Sequence, residues 1–154
     1  MSSNGNHHSH SWPTRVVGAV VLIGVLGVTS AQAQTADRIA ETCHGSEIIT
    51  TVGKGPTRNP FAVDFSADLK GGYVCYGDCK PAQTFSIKTG QTNNPIVLSD
   101  VNSPSQSRSI TFDRRTSTLV DHQVINLLVN IKREAVASCR PMAYRQPAIA
   151  RVRS

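Results

Sequence analysis

The sequence predicts a small all-β domain: an antiparallel sandwich or barrel of about 7–8 short strands, stapled by disulfides. Three observations predict it. Short runs alternate large apolar with polar residues. Clusters of glycine, proline and asparagine interrupt those runs roughly every 8–12 residues, the spacing of sandwich and barrel strands. Four cysteines, Cys43, Cys75, Cys79 and Cys139, all lie downstream of a segment with the pattern of an export signal.

That segment opens the 154-residue chain. Residues 1–15 are polar and end in Arg15, residues 16–28 are apolar, and Ala31-Gln32-Ala33 supplies a small-residue cleavage site. A positive start, an apolar middle and an A-x-A end define a secretory signal peptide. The apolar run is short of the roughly 20 residues a bilayer-spanning helix needs. Residues 1–33 are therefore expected to be removed, leaving a periplasmic or secreted protein without a membrane span. Residues 34–140 form the single all-β domain, and residues 141–154 a basic, flexible tail. Trp12, His7, His8 and His10 leave with the signal, so His44 and His122 remain.

Within the domain, residues 36–42 suggest a short helix anchored by Ile39 alone. Residues 47–52 are rich in β-branched side chains and read as a strand. Two glycines and two prolines make residues 53–60 a loop. Phe61, Val63 and Phe65 then alternate with Ala62, Asp64 and Ser66, which places three large side chains on one face of a strand. Gly71-Gly72 turns the chain into Tyr73-Val74-Cys75-Tyr76, and Gly77-Asp78 turns it again before an alternating run over residues 84–88. Further strands are expected at residues 96–98, 109–113 and 118–120. The stretch 124–137 fits both a helical and an extended apolar face. Its β-branched residues and the asparagines at 126 and 130 favour strand, since both weaken a helix.

The cysteines are expected to pair as Cys75–Cys79 across a tight turn and Cys43–Cys139 between the first and last strands. An even cysteine count in a small exported domain implies such staples. A thiol redox site at Cys75 and Cys79 is a competing reading, but their spacing, strand-like flanks and the neighbouring Asp78 all differ from a low-pKa thiol at a helix start. Zinc held by Cys43, His44, Cys75 and Cys79 is another, opposed by an oxidising compartment. No cofactor is implied.

A catalytic reading rests on Asp64 and Asp68, which share one strand face, or on His122. Paired carboxylates hydrolyse glycosides across a cleft, but on an alternating strand they are more simply the solvated face. Asp121 and His122 are strand neighbours pointing to opposite faces, so the aspartate would not orient the imidazole. Neither a serine-hydrolase elbow nor a zinc-protease helix motif is present. Tyr73 and Tyr76 flank the stapled turn and form a possible recognition tip, because tyrosine on a rigid loop is a good anchor.

The formal charge is +6, and it is unevenly spread. Residues 34–131 carry nine basic and nine acidic side chains, whereas residues 132–154 carry six basic ones against Glu134. That basic end suggests weak contact with an anionic surface. Export argues against nucleic acid as a partner and for an unknown protein or envelope polymer.

The Tyr73-Val74-Cys75 triplet, with the leader, the neutral body and the staples, loosely resembles small periplasmic β-barrel inhibitors of c-type lysozyme. The resemblance implies a barrel fold. The serine-glycine pair followed by tyrosine that forms the inhibitory loop of that family is missing from this sequence. The expectation is thus an exported, non-enzymatic envelope protein with a binding or structural role.

Overall fold

The computed structural model of the protein describes residues 35–148. The expected signal peptide, residues 1–33, and residues 149–154 of the expected tail lie outside the described residues. The described residues form eight strands: β1 (Arg38–Thr51), β2 (Thr57–Asp68), β3 (Tyr73–Tyr76), β4 (Thr84–Ser86), β5 (Ile96–Ser103), β6 (Gln106–Asp113), β7 (Thr118–Asn126) and β8 (Asn130–Pro141). They build one antiparallel sheet in the order β4-β3-β2-β1-β8-β7-β6-β5, curled into a half-barrel. A 3-10 turn, Pro81–Gln83, precedes β4.

Two four-stranded meanders meet where β1 pairs with β8, in a ladder running from Glu41↔Pro141 to Thr51↔Ile131. Cys43 faces Cys139 in that register with a Cα separation of 4.0 Å, and the two are disulfide-bonded. Gly45 sits two residues further on, where a Cβ would lie 2.0 Å from the Val136 carbonyl oxygen. Only glycine lets the two backbones approach that closely.

Curling brings the two meanders face to face. Phe65 of β2 meets Phe112 of β6 edge-on at 5.3 Å between ring centroids, a contact worth about 1 kcal/mol beyond area burial. Ile39, Val74, Ile96, Leu98, Ile110 and Leu119 complete the apolar interior, and Cys43 and Cys139 belong to the same cluster.

The convex face has its own cover. Ala40, Ser66 and Cys75 lie in a cross-strand row on that side and are fully buried. Residues 142–148 run across them. The Met142 N–H donates to the Ala40 carbonyl at 3.0 Å, and the Ala148 N–H donates to the Cys79 carbonyl at 3.3 Å. Between these, the Arg145 N–H donates to Ser66 Oγ at 3.1 Å and its guanidinium to the Gly77 carbonyl at 2.7 Å.

Several elements differ from expectation for physical reasons. Residues 36–42 do not form a helix; β1 already begins at Arg38, paired with Asp68. A helix that short is marginal alone, and ladders with β2 and then β8 satisfy the backbone instead. The expected loop over residues 53–60 is shorter, because β2 begins at Thr57 and includes Pro60. Proline is tolerated there because β3 pairs only with residues 65–68, so Pro60 lies where β2 has β1 as its one neighbour. Residues 124–137 are extended, but as two strands: Asn126 and Asn130 face each other across the β7–β8 hairpin, leaving Leu127, Leu128 and Val129 as its loop. No glycine, proline or aspartate marks that turn.

The two disulfides are expected to differ in weight. In the chain-entropy model a loop of 96 residues contributes about 4.7 kcal/mol and one of four about 2. Replacing Cys43 and Cys139 by alanine should lower the urea midpoint by roughly twice as much as replacing Cys75 and Cys79. Equal losses would remove the long bond from its place as the main staple.

Candidate binding cleft

The half-barrel does not close. The edge strands β4 and β5 face each other without pairing, and a cleft of about 350 Å³ opens along this seam. β4 is three residues long against eight in β5, so it is too short to zip the seam shut. Phe85 of β4 lines one wall and is half exposed; Leu98 of β5 and Ile110 of β6 line the other. Polar atoms of Ser86, Ser99, Asp100 and Gln106 lie around the mouth. One end of the β5 edge is already occupied: the Gln91 side-chain amide accepts from the Val97 N–H at 2.8 Å and donates to the Val97 carbonyl at 2.9 Å.

Arg108 stands at the floor, with Asp121 buried behind it. Arg108 and Asp121 occupy inward-facing positions on β6 and β7, in step with Ile110 and Leu119. The guanidinium grips the carboxylate with two hydrogen bonds, Nε to Oδ1 at 3.0 Å and Nη2 to Oδ2 at 2.7 Å. Asp121 is 1% exposed, so this pairing is what permits a carboxylate to be buried there. The bond to Asp121 also raises the Arg108 pKa and so holds its charge. Arg108 uses two of its five N–H donors on Asp121. Beside it, a smaller cavity of about 160 Å³ shares Tyr76, Arg108 and Ile110 with the cleft. A second ion pair, Arg133 with Glu47, lies at its far side, with Arg133 stacked 5.6 Å from the Phe61 ring centre.

Tyr76 connects the two spaces. Its ring lies 5.9 Å from that of Phe85, and its hydroxyl is buried with no hydrogen-bond partner among the described residues. Burial pushes its pKa up to about 12, with Arg108 pulling down and Asp121 pushing up by smaller amounts.

The residues singled out from sequence are dispersed. Tyr73 and Tyr76 point to opposite faces of β3: Tyr76 into the cleft, Tyr73 toward the convex side with Cys75. Cys75 and Cys79 are bonded at a Cα separation of 4.8 Å. The bond closes the tight turn itself and does not cross a hairpin, because Cys75 faces Thr84 in the ladder. Cys43 is bonded inside the concave core, on the other face from Cys75, so Cys43, His44, Cys75 and Cys79 do not converge as ligands. Asp64 lies 3.7 Å from Arg145, while Asp68 accepts from the Gly71 N–H at 2.7 Å. His122 lies on the outer face, 3.5 Å from Glu134. β1 and β8 separate β2 from β7, about 14 Å of sheet, so the structure does not bring His122 to the two aspartates.

Sequence reasoning passed over Arg108, Phe85 and the inward role of Asp121. A signal was present: Arg108 keeps the parity of Ile110 and Phe112, and Asp121 that of Leu119. Opposite charges on the apolar face of neighbouring strands mark a buried pair. Compared with known proteins, the chain matches no family model and no curated protein.

Tyr76 generates a pH signature. Its folded pKa of about 12 exceeds the ordinary value of 10.0, so between these values the unfolded state loses a proton that the folded state keeps. Stability is expected to be unaffected by this group below pH 10 and to fall as pH rises from 10 to 12. Tyr76→Phe should flatten that fall, and with no hydrogen bond to lose it should be nearly neutral at pH 7. Urea unfolding of both proteins at pH 7, 10 and 11.5 checks it; an identical alkaline slope would show that the hydroxyl is solvated.

Proposed function

We propose that this is an exported, non-enzymatic binding domain of the cell envelope, with its ligand held in the seam between β4 and β5. The observation that carries the reading is the cleft itself: apolar walls at Phe85, Leu98 and Ile110 over a floor bearing Tyr76 and Arg108. Its volume of about 350 Å³ falls within the size of ligand pockets, which run from about 300 to 1,000 Å³. Apolar walls with a few convergent polar groups are the general make-up of such sites.

The chemistry favours an extended, partly apolar group ending in a hydrogen-bond acceptor. The apolar part lies against Phe85 and Leu98. The acceptor meets the free donors of Arg108, whose charge Asp121 balances without using them all. The scaffold suits capture more than turnover: two disulfides stiffen the sheet that carries these walls, and a preformed site binds with less ordering cost. Both bonds are consistent with an oxidising compartment outside the cytosol.

Ser99→Trp fills the mouth of the cleft from a half-exposed position on β5 and leaves the apolar interior untouched. Immobilised wild-type protein should retain envelope components that the Ser99→Trp protein loses at least about tenfold, with unchanged thermal unfolding. Equal retention by both would remove the cleft as the binding site.

A further inference from the structure

The end of the half-barrel that carries the β1–β2, β5–β6 and β7–β8 connections has an unusual composition. Leu127 and Leu128 form the apex of the β7–β8 loop with Val129, and they are 70% and 104% exposed. Val52, at the start of the β1–β2 loop, is 70% exposed. These are neighbours: the Val52 N–H donates to the Asn130 carbonyl at 3.3 Å, and the Asn126 N–H donates to the Ser105 carbonyl at 2.8 Å. The three connections are thus tied together at one end. Hairpin loops ordinarily use glycine, asparagine or aspartate, so four large apolar side chains standing in water need a partner.

The charges around them are of one sign. Residues 50–58, 101–108 and 124–133 contain Lys54, Arg58, Arg108, Lys132 and Arg133 and no acidic residue. Three of these are paired from further down the barrel, with Asp121, Glu134 and Glu47. Lys54 and Arg58 enter no ion pair among the described residues, and both are exposed.

We propose that this end is a membrane-docking tip: Val52, Leu127, Leu128 and Val129 insert into the interfacial layer of an anionic bilayer, and Lys54 and Arg58 meet its headgroups. Apolar side chains that reach about 5–10 Å into the headgroup boundary, with cations around them, are what peripheral membrane attachment requires. Each cation near an anionic surface adds attraction that fades within about a Debye length. The shape argues against a second protein copy. A stable protein interface takes about 20–30 residues a side, and a projecting apex of four side chains falls far short. This docking is independent of the seam cleft, whose residues it does not use.

The mature protein, residues 34–154, is sedimented with vesicles of equal parts phosphatidylglycerol and phosphatidylcholine, and with pure phosphatidylcholine. Binding is expected to the anionic vesicles and to weaken with added salt. Leu127→Asp/Leu128→Asp should reduce it more than about tenfold, and Lys54→Glu/Arg58→Glu should abolish the preference for anionic lipid. Unchanged circular dichroism and thermal unfolding report that the exposed substitutions leave the fold intact. Independently, Leu128→Trp, the sole tryptophan of residues 34–154, should shift its emission to the blue on adding anionic vesicles. The proposal is overturned by any of three results: equal binding by the Leu127→Asp/Leu128→Asp protein, an unshifted Leu128→Trp emission, or a wild-type dimer that the double substitution splits and that ignores vesicles. Vesicle binding lost instead through Arg151→Gln/Arg153→Gln, with the leucine substitutions silent, would likewise assign the contact to the basic tail.

Discussion

Everything in this domain depends on the pairing of its first strand with its last. β1 and β8 are far apart in sequence, yet their ladder joins two meanders that would otherwise be separate four-stranded sheets, each with an unprotected edge. Such non-local pairing must overcome the entropy of closing nearly the whole chain into a loop. Two features oppose that entropy at the same place. The Cys43–Cys139 bond removes much of it from the unfolded state. Gly45 then lets the two backbones come closer than any side chain would permit. With that junction held, the right-handed twist of each meander turns their inner faces toward one another, and Phe65 meets Phe112.

The same geometry explains why an opening remains on the far side. A sheet that curls from its centre must close at its edges, and here one edge strand is much shorter than the other. The unpaired seam is an aggregation hazard, since exposed edges invite other strands. The molecule covers it in part: Gln91 presents a side-chain amide in place of a neighbouring backbone. What stays open is lined by apolar walls and floored by Arg108, behind which a buried Asp121 is tolerable only because both hydrogen bonds are made.

The strands were legible where one face is core and the other solvent, as at Phe61, Val63 and Phe65, because period-two alternation is a direct print of that environment. The staples were legible from the cysteine count together with the export pattern read in residues 1–33. Legibility failed where tertiary context overrides local preference. Residues 36–42 look weakly helical in isolation but are captured by two ladders. Pro60 reads as a breaker until the sheet shows that β3 is too short to reach it. The Leu127-Leu128-Val129 loop carries no turn residue, so residues 124–137 read as one continuous apolar element. At the cleft, Arg108 and Asp121 are 13 positions apart, and it is the register of the β6–β7 hairpin that makes them neighbours. Tyr76 was noticed for its type, but its direction follows from which face of β3 curls inward.

The central junction also decides how the molecule tolerates a broken backbone. Residues 87–95 form the one stretch of polypeptide joining the β1–β4 meander to the β5–β8 meander. Cys43 belongs to the first and Cys139 to the second, while Cys75 and Cys79 both stay within the first. A protease cutting that connection would therefore not divide the protein. The two fragments stay covalently joined through the sheet's middle, aligned by an eleven-pair ladder and by residues 142–148 lying across the other half. In an environment rich in proteases and poor in reductants, such a chain keeps its shape after a nick, and only reduction lets the halves part.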